Sequence, residues 1–415
     1  MSARFGYVPV SSSMSGDGAG SDIIGRYATS LEALGGERWE LGKIAEPVPL
    51  AVFVVTGGTE RTILDVWRRR YETTGRTPAL IVAHRGDNSL PAALEALARM
   101  RQDGRAGRIV YLEGPEDTTG LDRLSESIKD EETRAALKRA RIGAVGSPSG
   151  WLVASSPDPS VVRSKWGPHV VPVSLDQLLD AMRSPEGLPS SRGESLVSSA
   201  REVVEPSPED VEVATRVTSA VMKLVEANKL TAVALRCFDL VEELGATGCV
   251  ALAELADRGL AAGCEGDIVS TVSMLWLREL VGEVPWMANP SAVETDSNLL
   301  VLAHCTIPKG MVEGYVLRSH FESGRGVALE GSLPEGPVTL VRIGGREMDE
   351  LWTAEGSIEE AEPCGDMCRT QASVRLARDG AAAELLERPL GNHVVLVRGH
   401  REERVTSWWR LMIAE

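Results

Sequence analysis

Apolar runs of five or six residues recur through the first third of the chain, each followed by a turn and then by an amphipathic helical stretch. Leu50-Ala51-Val52-Phe53-Val54-Val55 reads as the first buried strand, and Thr56-Gly57-Gly58-Thr59 ends it. A helical pattern runs from Ile63 to Tyr71. Ala79-Leu80-Ile81-Val82-Ala83 is the next strand, followed by a helix from Leu90 to Arg101. Arg108-Ile109-Val110-Tyr111-Leu112 repeats the pattern before a charged helix over residues 120–140. Strands this uniformly apolar need cover on both faces, and their alternation with helices predicts a parallel, doubly wound sheet. Ligands of such sheets bind at the carboxyl ends of the strands. That rule sets Thr56-Gly57-Gly58-Thr59 and His84-Arg85-Gly86-Asp87-Asn88-Ser89 on one rim.

A second α/β unit begins near Ile142-Gly143-Ala144-Val145-Gly146 and includes Trp151-Leu152-Val153-Ala154-Ser155 and His169-Val170-Val171-Pro172-Val173. The Pro/Ser/Gly-rich stretch from Ser184 to Pro208 reads as a surface connection. A long helix from Pro208 to about Lys229 then leads to the apolar run Thr231–Leu235. From about Leu300 the character changes to β-rich runs, among them Val338–Arg342, Ala372–Leu376 and Val394–Val397. The expected organisation is therefore an N-terminal parallel-sheet domain over 1–140, a second α/β domain over 141–299, and a β-rich, barrel-like domain over 300–415. The Ser/Gly run from Ser11 to Ser21 matches no phosphate-loop pattern and reads as a plain loop.

Composition narrows the function. The 415 residues are 43% hydrophobic and 25% charged, a globular balance, and too many for a single ordinary core. A formal net charge of -16 repels phosphate backbones and argues against nucleic-acid binding. All six cysteines lie in the second half, without framework spacing and several within apolar runs, as expected of buried free thiols in a reducing compartment. Cys364 and Cys368 find no second Cys/His pair of matching spacing for a zinc site. No basic start precedes an apolar segment at the N-terminus, and no apolar run reaches about 18 residues, so a cytoplasmic, non-membrane protein is expected.

Ionisable residues in apolar or Gly-rich surroundings mark the chemistry. In Gly263-Cys264-Glu265-Gly266-Asp267, directly before an apolar helix from Ile268 to Leu280, Asp267 has a structural task as helix cap. Glu265 has none, and Gly266 is expected to let a ligand approach its carboxylate. Trp286-Met287-Ala288-Asn289-Pro290 follows what looks like a strand end. Val301-Leu302-Ala303-His304-Cys305-Thr306 is an apolar strand ending in a histidine, and Leu390-Gly391-Asn392-His393 leads into another. A single histidine on a strand is more often a hydrogen-bonded core residue than a ligand. Glu265, His304 and His393 together compose a carboxylate–imidazole site for a hard cation. His320 and Glu322 in the loop Arg318–Gly326, and Arg369 and Gln371 after Cys368, offer the donors and acceptors that a polyhydroxylated or anionic ligand needs, and equally the parts of loop salt bridges. The guanidinium groups of Arg318, Arg325 and Arg369 suit a phosphate or carboxylate on that ligand.

On these residues the sequence resembles the L-fucose/L-arabinose isomerase superfamily, especially its divergent fucose-isomerase C-terminal-domain members. The resemblance covers most of residues 231–400 through Cys237-Phe238-Asp239, Thr247–Leu252, Gly263–Asp267, Ala303-His304-Cys305 and Gly391–Gly399, and more loosely includes Val55–Glu60. It implies two Rossmann-like domains followed by a β-rich domain, and a manganese-dependent or other divalent-cation-dependent aldose–ketose isomerase working through an ene-diolate. It makes Glu265 a metal ligand and acid/base residue, His393 a ligand, and His304 a histidine near the metal. It further implies trimers or hexamers in which a neighbouring subunit's rim, here Gly57, Gly58, Asn88 and Ser89, closes the sugar site. Asn392, beside His393, joins the expected substrate-binding set.

One departure matters. The isomerases carry a second acidic ligand where this chain has Ala288 and Asn289. An amide oxygen can coordinate a hard cation, yet it is no base at neutral pH. Asp239, Asp267 and Glu322 are the substitutes within the sequence. The expectation is a ketol isomerase of a small sugar or sugar derivative, with Glu265, Asn289 and Asp239 as catalytic candidates and Glu265, His393, His304 and Asn289 around the ion. Another enolate-type reaction (epimerisation, dehydration or aldol cleavage) and a non-catalytic sugar-binding relative are the alternatives.

Overall fold

The computed structural model describes residues 4–12, 19–75, 77–183, 191–359 and 364–414. The chain divides into two compact units, one formed by Met1–Ala135 with Ser407–Glu415 and the other by Ala136–Thr406.

The first unit is built on a five-stranded parallel sheet. Its strands are β1 (Phe5–Val10), β2 (Gly36–Arg38), β3 (Leu50–Val54), β4 (Ala79–His84) and β5 (Gly107–Leu112), in the order β2-β1-β3-β4-β5. Every residue of β3 and β4 is buried, the condition their uniform apolarity demands. Helices Glu60–Thr74, Ser89–Gln102 and Thr118–Arg139 alternate with them as expected. Strand β1 is an addition to the sequence reading. Its apolar run is broken by Gly6 and Pro9, which weaken a strand signal, and the Trp39 ring covers the face that Gly6 leaves open. The two rim turns do meet: the Gly57 N–H donates to Asp87 O at 2.7 Å, and Ser89 Oγ donates to Val54 O at 2.5 Å. Of the Ser11–Ser21 run, residues 13–18 lie outside the described residues, while the Ser12 N–H donates to Thr56 Oγ1 at 2.8 Å.

The second unit opens with β6 (Arg141–Val145) and β7 (His169–Val173). Trp151–Ser155 between them forms turns and no strand. The Pro/Ser/Gly-rich connection is corrected in part. Residues 184–190 lie outside the described residues, but Ser191–Ser199 is a helix and β8 (Glu202–Val203) a short strand. Helix Pro208–Asn228 follows from Ser207, whose side chain accepts the Asp210 N–H in a reciprocal capping box. With β9 (Ala232–Leu235) and β10 (Ala261–Cys264), a four-stranded parallel sheet forms in the order β10-β9-β6-β7.

The remaining strands are β11 (Trp286–Glu294), β12 (Leu299–His304), β13 (Tyr315–Arg318), β14 (Ala328–Gly331), β15 (Gly336–Gly344), β16 (Glu350–Glu359), β17 (Thr370–Leu376) and β18 (Val394–Arg398). Six of them close an antiparallel barrel in the order β11-β12-β17-β16-β15-β18, while β14, β13 and β8 form a small separate sheet. Trp286, Ala288, Leu302, Leu340, Val374 and Leu396 belong to its core. Trp286 begins a strand instead of ending one, because Pro285, which lacks an N–H, sits just before the first ladder bond. All six cysteines are free and four are buried, with Cys237 Sγ 3.1 Å from Cys264 Sγ. No helix among the described residues is long and apolar enough to cross a membrane.

Candidate active site

The turn after β10 carries the first functional side chain. Glu265 adopts φ 59° and Gly266 φ 73°, two successive left-handed residues, a conformation that is unfavourable for a glutamate. Backbone bonds hold it: the Ser149 N–H donates to Glu265 O at 3.0 Å, and the Gly266 N–H to Leu235 O at 3.1 Å. The glycine has a different use from the one expected. A Cβ at Gly266 would lie 2.9 Å from the Cα of Pro148, so its absence admits the neighbouring loop backbone. Asp267 then caps helix Ile268–Val281 by accepting the Ser270 N–H at 2.7 Å, as its position predicted.

Asp267 does more than cap. Its Oδ2 lies 2.9 Å from His393 Nδ1, just before β18. Burial pushes the Asp267 carboxyl up, but the His393 hydrogen bond, the Arg342 charge and the Ser270 N–H outweigh it and hold the group below its ordinary value. Arg342, 2% exposed, stands 3.6 Å from Asp267 and donates to Ser155 Oγ at 2.6 Å, Ser270 Oγ at 3.1 Å and Leu390 O at 3.2 Å. Gly391 (φ 146°) is required beside it, since a Cβ there would overlap the guanidinium. Arg342→Ala leaves the buried Asp267 and two hydroxyls short of a partner. A loss of about 3 kcal/mol or more is expected in urea unfolding, and a change below about 1 kcal/mol would refute the role.

His393 Nε2 is buried with no hydrogen-bond partner among the described residues and lies 3.5 Å from Glu265 Oε1. The other carboxylate oxygen, Glu265 Oε2, accepts Trp151 Nε1–H at 2.6 Å. Burial raises the Glu265 pKa, yet the nearby His393 imidazole and its charge, with the Trp151 hydrogen bond, bring it below the usual glutamate value. Trp151 is 52% exposed and packs edge-on against Phe238 at 4.8 Å, which meets His320 in the same way at 5.6 Å. Trp151→Phe keeps this packing and removes the N–H. The Glu265 pKa then rises, so the acid limb of a pH–rate profile moves to higher pH, with a loss on the order of tenfold on that limb. An unmoved limb would remove Trp151 from the catalytic arrangement.

His304 ends β12. The Thr306 N–H donates to its Nδ1 at 3.1 Å, and Thr306 Oγ1 lies 2.7 Å from the same atom. Burial and the neighbouring His393 push the His304 pKa down to about 3. Its ring centroid is 5.7 Å from that of His393. One donor atom from each of Glu265, His304 and His393 falls within 4.8 Å of the others, and this group could hold a metal ion. The residues fit one: a buried imidazole nitrogen lacks a partner, its ring is oriented by a carboxylate, and the carboxylate–imidazole donor set suits a divalent cation.

The other expected residues are dispersed. Ala288 pairs with Val394 and Asn289 with Ala303, so this neutral pair stands between the strand ends bearing His393 and His304. Asp239 is outside the cluster and pairs with Arg236 at 2.8 Å. His320 is 8% exposed and its Nδ1 lies 3.1 Å from Ser323 Oγ; burial lowers its pKa while the Glu265 charge raises it. Burial and the Glu265 charge raise Glu322 on the same loop. Arg369 donates to Ser319 O at 2.8 Å, and Gln371 spends its amide on Cys364 and Cys368. Arg318 is held by Glu205 and Glu330. Asn392 is exposed, and Gly57, Gly58 and Asn88 belong to the first unit. Three residues were not singled out from sequence. Trp151 and Arg342 lie inside apolar runs, and Thr306 reaches His304 with both its backbone N–H and its hydroxyl. An arginine in the middle of the run Val338–Ile343 was the available signal for Arg342.

No family model matches the sequence. The chain is a distant homologue of sugar isomerases. The sulfoquinovose isomerase of Alkalicoccus urumqiensis is 28% identical over 239 residues, which span 55% of this chain and only about half (53%) of that protein. The sulfoquinovose isomerase of Priestia aryabhattai is 25% identical over 313 residues, 72% of this chain and 69% of that protein. The protein of the same name from Clostridium sp. (strain MSTE9) is 24% identical over 222 residues.

Proposed function

We propose that the protein is a divalent-metal-dependent aldose–ketose isomerase of the fucose/arabinose isomerase type, acting on a small sugar or sugar derivative. The observation that carries this reading is the convergence of Glu265, His304 and His393, one of whose imidazole nitrogens is buried without a partner among the described residues. Glu265 and His393 would hold the ion, manganese being the first to try, and the ion would polarise adjacent sugar oxygens. The chain's own part is proton movement. Ionised Glu265 accepts the proton from C2, leaving an ene-diolate with its negative charge on O1. The hydroxyl proton passes from O2 to O1, and Glu265 returns its proton to C1, which completes the ketose. Asp267 and Arg342 fix the His393 ring, and Trp151 fixes the carboxylate. The exposed face of Trp151 offers an apolar wall for the carbon skeleton of the sugar.

The relatives direct attention to a sulfonated hexose. Of the three arginines suggested by sequence, Arg318 and Arg369 are engaged, whereas Arg325 is exposed and has no ion pair among the described residues. Arg325 is the group proposed to meet an anionic substituent. Gly57, Gly58 and Asn88 are proposed to close the site of a neighbouring subunit in a trimer or hexamer. The test is an aldose–ketose assay with manganese over neutral, phosphorylated and sulfonated hexoses, with products identified by NMR in deuterated water. Turnover of none of them would defeat the isomerase reading. The neutral pair Ala288 and Asn289 favours one second reading, an enolate reaction needing a single base. A product altered in carbon skeleton or hydration state would establish it.

A further inference from the structure

We propose that His304 acts on the substrate as a hydrogen-bond donor through Nε2–H, and that the protein holds the divalent ion through Glu265 and His393 without it. The inference rests on the isomerase reading and gives one residue of that site a task other than coordination. The two histidines are wired in opposite senses. His393 Nδ1 faces the Asp267 carboxylate at 2.9 Å, an acceptor, so Nδ1 keeps its hydrogen and Nε2 is the nitrogen that gives up its proton to offer a lone pair to the ion. His304 Nδ1 faces the backbone N–H of Thr306 at 3.1 Å, which can only donate, so Nδ1 supplies the lone pair. The Thr306 hydroxyl, 2.7 Å from the same atom, is able to donate to that lone pair as well. In a neutral imidazole the hydrogen must then reside on Nε2. That atom makes no hydrogen bond to any described residue, and it is the ring nitrogen left to serve the cluster.

Coordination would require the Nε2 hydrogen to leave. Moving it to Nδ1 would aim N–H at N–H across 3.1 Å and strand a buried backbone donor, so the Thr306 turn selects against a ligand role. A donor answers the chemical need of this site better. Ala288 and Asn289 provide no second acid, and an ene-diolate gathers negative charge on an oxygen that must be met by a donor. A buried neutral imidazole can supply that stabilisation without transferring its proton.

Two measurements decide the matter. In protein carrying 15N-labelled histidine, His304 should show the Nε2–H tautomer both before and after addition of zinc as a diamagnetic probe, while the His393 Nε2 resonance moves. A His304 Nε2 that loses its hydrogen and shifts with zinc overturns the proposal. In manganese titrations, His304→Ala should bind within about threefold of wild type while kcat falls about 10²-fold, and His393→Ala should bind about 100-fold more weakly. His304→Gln, which restores an N–H donor, should recover about tenfold of the lost kcat. Equal loss of manganese in the His304 and His393 variants overturns the donor role alone. A wild-type protein that binds neither ion overturns the metal-dependent reading itself, which separates the two failures.

Discussion

Glu265→Gln is expected to lower sugar isomerisation by about 10³-fold in a protein that still folds. The substitution keeps side-chain volume, the left-handed backbone at φ 59° is no harder for glutamine than for glutamate, and an amide oxygen can still accept Trp151 Nε1–H. What disappears is the negative charge of the carboxylate that faces His393 Nε2 at 3.5 Å. An amide cannot take a proton from carbon near neutral pH. Asp267 is no substitute, being fully buried and committed to His393, Ser270 and Arg342. Steady-state kinetics with manganese, alongside a circular-dichroism melt, provide the check. More than about a tenth of the wild-type rate in a folded variant would place the base elsewhere.

Metal affinity should fall steeply with acidity, by about 100-fold between pH 8 and pH 6. Burial by itself lowers the His393 pKa, but the hydrogen bond to Asp267, the Glu265 carboxylate 3.5 Å away and the charges of both raise it to about 9. The ion therefore competes with a proton for Nε2, each unit of pH below 9 weakens binding up to tenfold, and binding releases close to one proton. The sign for stability is opposite in the metal-free protein. A raised folded-state pKa gives stabilisation that is complete below the unfolded value of 6.5 and fades as pH climbs through 9. The metal-free melting temperature should thus decline over that window, while the increment given by manganese grows. Titration calorimetry in buffers of different ionisation enthalpy measures the released proton. Affinity that is level from pH 6 to pH 8 would show that His393 is not a ligand.

The parallel-sheet architecture was readable because β3 and β4 are buried on both faces, leaving unbroken apolar runs that only a covered sheet explains. Glu265 stood out for a related reason, as a carboxylate between a buried cysteine and a glycine with no capping duty. The supporting residues were hidden by the same rule. Trp151 and Arg342 occur within apolar stretches, where a tryptophan passes as core and an arginine as a strand's polar face. Only the fold shows that one reaches Glu265 and the other Asp267. Asp239 illustrates the converse, since an acid in a suggestive motif proved to have a local partner in Arg236. The helix Ser191–Ser199 escaped notice because serines and a glycine mask its weak periodicity.

The closed barrel has a consequence for recognising such sites in other chains. His304 and His393 lie far apart in sequence, yet β12 and β18 both flank β11, and the spacing of the histidines is set by that single intervening strand. The segments joining β12 to β18 run through loops and other staves of the barrel, where insertions alter chain length without moving either ladder. Sequence separation between the two histidines therefore carries no information about the site. What identifies it is that each histidine closes or precedes a stave adjoining the same strand.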